Sequence, residues 1–179
     1  MGINSENELR RGNPQSALVA LICLMAFGVT FVLYTASYLP DRVATHFGAD
    51  GRANGWMTRT VYVWFTLGFL IGLPVLLSVL VGRLPRRLPN WTNIPNREYW
   101  LSPERREKSL GFLASQGHRL SCLIVMLTIG LHYLILVANQ RSPQILPMSN
   151  FLSMLGAFLI LLLIWVVRLY RRFPKPQKV

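Results

Sequence analysis

Two histidines are the side chains in this sequence best suited to chemistry, and the first is His46. It stands beside Phe47, with Asp41 and Asp50 nearby. A zinc site takes three or four ligands, and covalent catalysis needs a nucleophile beside its histidine. Residues 40–59 contain neither Ser nor Cys. We therefore predict no catalytic residue and no metal site here. The histidine is either hydrogen-bonded within a folded loop or in contact with a ligand.

The second is His132, which lies well inside a long apolar stretch. Ionisable side chains within a membrane are costly and commonly mark functional sites. Two interpretations stay open: a neutral imidazole hydrogen-bonded to a neighbouring helix, near Tyr133 or Asn139, or a role in ligand binding or proton transfer. His118 lies about 21 Å away along a helix, so the two rings cannot share a metal ion. Neither a cofactor nor a metal is expected.

The composition indicates which elements must position these side chains. Hydrophobic residues make up 52% of the 179 residues and charged residues only 15%. This balance is typical of an integral membrane protein and not of a disordered or disulfide-rich chain. A helix needs about 20 mostly apolar residues to cross a bilayer. Four stretches meet this requirement: 17–39, 60–82, 120–138 and 149–167. We predict an all-α, four-transmembrane-helix bundle that forms a single membrane domain over residues 1–179.

The first apolar stretch has a competing interpretation as a cleaved signal peptide. The apolar region of a signal peptide runs for about 7 to 15 residues, and this stretch runs well past that length. We therefore expect an uncleaved helix.

The basic residues are distributed unevenly along the chain. Fifteen of the 19 Lys and Arg residues lie at the two ends and in segment 83–119, and four lie in segments 40–59 and 139–148. The positive-inside rule then places both termini and segment 83–119 in the cytoplasm, an N-in/C-in topology. Basic residues at helix ends attract anionic lipid headgroups, whereas a nucleic-acid interface gathers them on one soluble face. We expect the lipid bilayer as a partner, and no nucleic acid.

The segment 40–59, which faces outward in this topology, contains clear turn signals. Asp50-Gly51 and Asn54-Gly55 are turn dipeptides, so we predict two tight turns that fold the loop back towards the membrane. Trp56 suits the headgroup region of the bilayer.

The second span has signals at its start and within it. Thr58 is predicted to cap the helix, and Arg59 is predicted to extend to headgroup phosphates. Gly68 and Gly72 form a small-xxx-small step that permits close helix approach. Pro74 removes a backbone hydrogen bond and predicts a kink. The two glycines and the proline together predict tight helix packing, with a functional hinge as the alternative.

The segment 83–119 contains the start signal of a further helix. Ser102 is a favourable N-cap, Pro103 suits the first helical position, and Glu104 complements the helix dipole. We predict a short amphipathic cytoplasmic helix from there towards residue 115, lying along the inner leaflet. Its charged residues form either a functional cluster or a solvated helix turn. The whole cytoplasmic motif, with its aromatic anchor, comprises Tyr99, Trp100, Pro103, Glu104, Arg105 and Arg106.

The residues around His46 resemble a known family. The positions that carry the resemblance are Leu39-Pro40, Thr45-His46-Phe47, Gly51, Gly55 and Trp56, which follow a first apolar stretch. They are similar to the bacterial domain of unknown function 1648. A second segment, 96–106, reads NREYWLSPERR and looks like one that accompanies the domain in some members. The resemblance implies a small multi-pass protein of the bacterial cytoplasmic (inner) membrane.

That family includes relatives of SdpI, a membrane immunity protein that protects its producer from a secreted toxin and takes part in signalling by holding a repressor at the membrane. Ala44 stands in this chain where many members of the family have Pro. For most of the family no biochemical activity is implied.

These observations lead to a first hypothesis of a non-catalytic binding, sensing or immunity-like module, whose outer loop meets a peptide, a lipid or a protein partner. The candidate contact residues are His46, Phe47, Gly51, Gly55, Trp56 and His132. The alternative is a small accessory subunit of a larger membrane complex, or a homo-oligomer, docked through Gly68, Gly72 and the segment around Trp100. A membrane hydrolase or metal enzyme would need a nucleophile or ligand set that the sequence does not present.

Overall fold

The computed structural model describes residues 14–176 and is mostly helical. Its long helices are α1 (Pro14–Thr35), α2 (Arg59–Leu77), α3 (Arg106–Asn139) and α4 (Met148–Arg171). Each of these four helices, with its helical extensions, is long and apolar enough to cross a membrane. Residues 14–176 contain four helices of this kind. The prediction of four such helices is therefore confirmed. The basic residues near the two ends, Arg10, Arg11 and Lys178, lie outside the described residues.

Helix α3 is the central element, because it packs against α1, α2 and α4. The largest apolar core cluster contains Leu21, Val32, Leu70 and Val125, which lie on α1, α2 and α3. Helix α4 packs chiefly against α3 and contributes no fully buried residue. Three helices therefore form the core, and the fourth lies at its side.

The segment between the first two long helices forms a β-hairpin, so the prediction of an all-α chain is wrong at this point. Strand β1 (Arg42–Phe47) pairs antiparallel with β2 (Ala53–Thr58). The reversal lies around Asp50-Gly51, where Gly51 has a positive φ of 79° that glycine adopts without steric cost. The predicted turn at Asn54-Gly55 is absent because both residues lie within β2. One reversal is enough to pair the strands, and a second would break the pairing.

The hairpin is fixed to the bundle through its backbone. The Asn139 side chain at the end of α3 accepts a hydrogen bond from the Ala44 N–H (2.8 Å) and donates one to the Ala44 carbonyl (3.0 Å). Val43 is fully buried and packs with Leu39, Tyr62 and Leu136. The hairpin therefore rests on the ends of α2 and α3.

The connection between α3 and α4 lies beside the hairpin. The Leu146 N–H donates to the Gly51 carbonyl (2.9 Å), and the Ala53 N–H donates to the Gln144 carbonyl (3.3 Å). Both connections therefore lie at the same end of the bundle, which we call the hairpin end.

The start of α2 confirms one prediction and corrects another. The Thr58 hydroxyl accepts a hydrogen bond from the Val61 N–H, so Thr58 is the predicted cap. The Arg59 guanidinium donates to the Leu39 carbonyl (3.0 Å) and to the Asp41 carboxylate (2.7 Å). Arg59 thus closes the base of the hairpin and is not extended towards headgroups, because both acceptors lie within its reach.

The predicted packing through Gly68 and Gly72 is wrong within this chain. A Cβ atom added at either position would meet no atom of another residue within 4 Å. The buried face of α2 instead carries Tyr62, Thr66 and Leu70, which recur every four residues. Both glycines lie on other faces of the helix and are exposed.

The close helix approach lies further along the chain. The π-helical segment Ser78–Arg83 and the helical turn Leu84–Arg87 continue α2 beyond Pro74. A Cβ added at Gly82 would lie 3.2 Å from Ala114 Cα, and one added at Gly117 would lie 3.2 Å from the Gly82 nitrogen. The Ser121 hydroxyl donates to the Pro74 carbonyl (2.7 Å).

The predicted short cytoplasmic helix is not a separate element. Residues 106–115 are the first turns of α3, which runs on through Gly117 to Asn139 without a break. The helix continues there because Gly117 provides the close contact with Gly82 and does not end the helix. The short elements before it are a 3-10 turn (Pro89–Trp91) and a helical turn (Arg97–Trp100).

The predicted Ser102 N-cap is also wrong. The Ser102 hydroxyl donates to the Glu104 carboxylate (2.9 Å) and accepts from the Arg105 guanidinium (3.2 Å), so these groups compete with the backbone for it. Hydrogen bonds from the Glu104 backbone N–H and the Ser102 hydroxyl lower the pKa of the Glu104 carboxyl. The Glu104 and Arg105 side chains form an exposed ion pair (3.8 Å), and Pro103 is exposed, as in a solvated turn.

An aromatic cluster holds the end of α4 at this second end of the molecule, which we call the arginine end. Trp100 and Phe112 pack edge-on against the buried Phe173 ring. The Arg172 guanidinium lies 5.0 Å from the centre of the Trp100 ring. Tyr99 packs edge-on against Trp100. The predicted aromatic anchor, Tyr99 and Trp100, therefore contacts the bundle.

Candidate functional site: a cavity beneath the hairpin

A cavity of about 350 Å³ lies between α2 and α3, with the hairpin at one end. Its apolar lining residues are Met57, Phe65, Phe69, Leu73, Ile124, Leu127, Leu131 and Ile135. Its polar lining residues are Thr45, His46, Tyr62, Thr66, Thr128 and His132. The structure thus brings together the two histidines that the sequence singled out, one from the hairpin and one from α3.

The cavity is elongated along the helices. Ile124 and Ile135 both line it and lie eleven residues apart on α3, which corresponds to about 16 Å along the helix axis. Most polar lining residues, including Thr45, His46 and His132, lie towards the hairpin end of this length. The other end is apolar. This distribution suits an amphipathic molecule whose polar part lies near the hairpin.

His132 is held by hydrogen bonds on both ring nitrogens. Its side chain is only 1% exposed. Nε2 lies 2.7 Å from the Thr35 hydroxyl of α1, and Nδ1 lies 2.8 Å from the Tyr62 hydroxyl of α2. The Tyr62 ring stacks on the imidazole with an interplanar angle of 14°, and Phe31 meets it edge-on. The predicted neighbours Tyr133 and Asn139 are not its hydrogen-bond partners.

The hydrogen-bond partners of His132 suit a neutral imidazole. When the Thr35 hydroxyl donates to the Phe31 carbonyl, 2.7 Å away, it accepts from Nε2–H, and Nδ1 accepts from the Tyr62 hydroxyl. One neutral imidazole satisfies every polar atom of this set. His132 therefore connects α3 to α1 and α2 through hydrogen bonds, and it is also part of the cavity wall.

His46 depends on the glycine that faces it across the hairpin. Gly55 is the register partner of His46, and a Cβ at Gly55 would lie 2.9 Å from the His46 Cβ. The hairpin bulges on either side of this pair. Gly55 therefore leaves room for the imidazole, and this packing role replaces the turn role predicted for it.

Thr45 has a buried hydroxyl without a partner in the described part of the chain. Its Oγ1 is among the few buried side-chain oxygens there that make no hydrogen bond. A buried hydroxyl left without a partner is destabilising, and such a group often meets a ligand or water. Because Thr45 lines the cavity next to His46, it can contact the polar part of a bound molecule.

The other predicted contact residues are placed differently. Phe47 lines a neighbouring cavity of about 210 Å³, together with Leu146, Met148 and Phe151. Gly51 is buried in the hairpin turn, and Trp56 is 43% exposed. Gly51 and Trp56 do not line the cavity that contains both histidines.

Sequence reasoning missed the residues that complete the polar wall. Tyr62 and Thr66 lie four residues apart on α2, and Thr128 and His132 lie four residues apart on α3. Polar residues at this spacing share one helix face, so the two pairs were a detectable signal of a polar stripe between apolar helices. Thr35 carried no such signal, because its role depends on how α1 packs.

The hydroxyls of Thr35 and Tyr62 are committed to the His132 ring. Within residues 14–176, no group of three or more His, Cys, Asp or Glu side chains could hold a metal ion. The arrangement offers apolar surface with a few hydroxyl and imidazole groups at one end.

Comparison with known proteins finds a family model that matches part of this chain. Residues 21–71 match the family described as Domain of unknown function (DUF1648). The match extends from α1 through the hairpin into α2, so it includes His46 and Tyr62 of the cavity wall and leaves out His132. The predicted resemblance is confirmed for this part, and the segment 96–106 lies outside the match. No curated protein and no solved structure matches the chain.

Proposed function

We propose that this chain, whose residues 21–71 form a DUF1648 domain, is a non-catalytic membrane protein that binds an amphipathic ligand in the cavity beneath its hairpin. The observation that carries the proposal is the cavity of about 350 Å³, whose wall contains both His46 and His132. Ligand cavities are typically largely apolar, with a few polar groups that fix orientation, and this cavity has that character.

The arrangement suggests how each end of the ligand is held. An acyl chain or another extended apolar group would fill the part between Leu73 and Ile124, and its polar end would meet Thr45 and His46. The Thr45 hydroxyl gains a partner in this way. His132 keeps the wall rigid through Thr35 and Tyr62, so the cavity is preorganised.

The topology that we propose is N-in/C-in, in the bacterial cytoplasmic membrane. Fifteen basic residues lie at the two ends and in segment 83–119, and four lie in segments 40–59 and 139–148. This distribution supports a cytoplasmic arginine end and an outward hairpin. The contact between the hairpin and the connection from α3 to α4 supports placing these two segments on the same side. The ligand would then enter from the outer leaflet or the outer aqueous space, which suits a sensing or immunity-like role.

A bulky residue in the cavity tests the proposal. We expect Leu131→Trp to fill the cavity and to abolish ligand co-purification and complementation of a deletion strain. The matched control is Leu163→Trp on α4, where the side chain is 63% exposed and lines none of the cavities described here. The measurement is mass spectrometry of lipids and peptides that remain bound to the full chain in a gentle detergent.

The outcome separates the proposal from its rivals. Equal behaviour of the two variants, with the same bound molecules and the same complementation, would contradict binding in this cavity. Replacement of His46 by alanine is the next step, and we expect it to weaken binding of the polar end without removing the cavity. Bound substrate that is chemically converted by the purified protein would overturn the non-catalytic assignment.

The second candidate function is that of an accessory subunit of a membrane complex. Two observations favour this function. No described residue lies against Gly68 or Gly72, and α4 contributes no buried residue in the described chain. Such faces allow close approach by a helix of another molecule. A protein that co-purifies in fixed ratio, and that Gly68→Leu releases while Leu131→Trp does not, would establish this function in place of ligand binding.

A further inference from the structure

A separate groove lies far from the hairpin, between α3 and α4 at the arginine end. It has a volume of about 250 Å³, and its charged and polar lining residues are Gln116, Arg119, Trp165 and Arg168. Its remaining lining residues, among them Leu123, Leu161 and Ile164, are apolar. The groove therefore continues from a basic end onto an apolar surface.

The two arginines place a positive charge at the end of the apolar stretches. Arg119 precedes the apolar part of α3, and Arg168 follows that of α4. Both arginine side chains line the groove. A groove lined by two arginines suits an anionic group, because a guanidinium binds phosphate oxygens through paired hydrogen bonds.

Gln116 provides an independent sign of a ligand. It is only 1% exposed, and its Oε1 atom has no hydrogen-bond partner in the described structure. Its backbone carbonyl accepts from the Trp165 indole N–H (3.0 Å), so Trp165 fixes α4 against α3 at this level. The free Oε1 atom is an acceptor, and it therefore calls for a donor such as a hydroxyl group.

We propose that this groove binds an anionic phospholipid whose headgroup carries both a phosphate and a hydroxyl, as phosphatidylglycerol does. The phosphate would lie between Arg119 and Arg168, a headgroup hydroxyl would reach towards Gln116, and an acyl chain would lie along Leu161 and Ile164. The level of the groove, where apolar helix surface gives way to basic residues, is that of the headgroups of a leaflet.

The test compares two arginines of α4. We prepare the full chain in nanodiscs that contain equal amounts of phosphatidylglycerol and phosphatidylcholine, and count retained lipids by native mass spectrometry. We expect phosphatidylglycerol to be retained preferentially, and Arg168→Gln to reduce its retention by about fivefold to tenfold. The control is Arg171→Gln, an exposed arginine of the same helix that does not line the groove. Arg168 is itself exposed, so its replacement leaves the core intact.

The possible results support or overturn the site. Equal losses in the two variants would mean general attraction of basic residues to the membrane, and would overturn the proposal. Equal retention of phosphatidylglycerol and phosphatidylcholine by the unaltered chain would also overturn the proposal. Displacement of the lipid by millimolar inorganic phosphate would show a phosphate site without a lipid requirement, against our proposal. Retention of phosphatidylglycerol through all phosphate additions, with loss in Arg168→Gln alone, would establish it.

Discussion

The hairpin end and the arginine end satisfy their polar groups in different ways. At the hairpin end, the contacts that fix the hairpin and His132 to the helices join neutral groups in buried or half-buried positions, as in the pairing of Asn139 with the Ala44 backbone and of His132 with Tyr62. The ion pair between Arg59 and Asp41 at this end lies at the surface. At the arginine end, cations meet carboxylates and aromatic rings near the surface, as in the pair Arg86–Glu107 (2.8 Å) and the stacking of Arg172 on Trp100.

These two kinds of contact make unequal contributions to stability. A buried neutral hydrogen bond has no competing water, so losing one partner leaves the other unsatisfied at a cost of about 1 to 3 kcal/mol. An exposed ion pair contributes about 0 to 1 kcal/mol. We therefore expect substitutions at the hairpin end to change stability more than those at the arginine end.

The largest effect is expected for Asn139→Ala. This change leaves the Ala44 N–H and carbonyl without their partners and detaches the hairpin from α3. We expect a loss of about 3 kcal/mol, measured as unfolding of the purified chain in detergent, with faster proteolysis at the hairpin. Asn150→Ala on α4, where the side chain meets only the Ser149 hydroxyl, is the control. Equal stability of the two variants would contradict the role of Asn139 in fixing the hairpin.

A smaller effect is expected for Gly55→Ala. The added methyl would lie 2.9 Å from the His46 Cβ, so the strand must shift at a cost of about 1 to 2 kcal/mol. The same change at Gly68, where nothing lies within 4 Å, is expected to leave stability unchanged or slightly higher. Thermal unfolding of both variants measures the contrast. If the Gly68→Ala protein were the less stable of the two, Gly68 would have to make a close contact, against the open space found around it.

The smallest effect on stability is expected at Glu104. As an exposed carboxylate at the arginine end, it should make the stability of the chain depend slightly on pH. Because the folded chain lowers the pKa of this carboxyl, its contribution is complete above the ordinary value of 4.5 and disappears as the pH falls through the folded value. Unfolding midpoints between pH 6 and pH 3 should fall slightly less in Glu104→Gln than in the unaltered chain. Identical pH profiles would show that the Ser102 contact contributes nothing.

The sequence predicted the helices well because their signal is local. A run of about 20 apolar residues has one main structural solution in a membrane, and the Thr58 cap is decided by residues within one turn. The hairpin was harder to predict because Asn54-Gly55 is as good a turn signal as Asp50-Gly51. Only the pairing of whole strands distinguishes the two dipeptides.

The site was partly predictable, for a related reason. His46 and His132 stood out by residue type, and both line the cavity. Their contact with a common space depends on the packing of α2 against α3, and no local pattern encodes that packing. The failure at Gly68 and Gly72 has the same origin, since a small-xxx-small step permits a close contact without stating which helix makes it.

The hairpin also controls how another chain could associate with it. Two-stranded sheets expose edges that can pair with a foreign strand. Here the Asn139 amide forms hydrogen bonds with the Ala44 N–H and carbonyl of β1. The Gln144 carbonyl accepts a hydrogen bond from the Ala53 N–H of β2. Strand addition is therefore blocked at these two points, which disfavours edge-to-edge aggregation there.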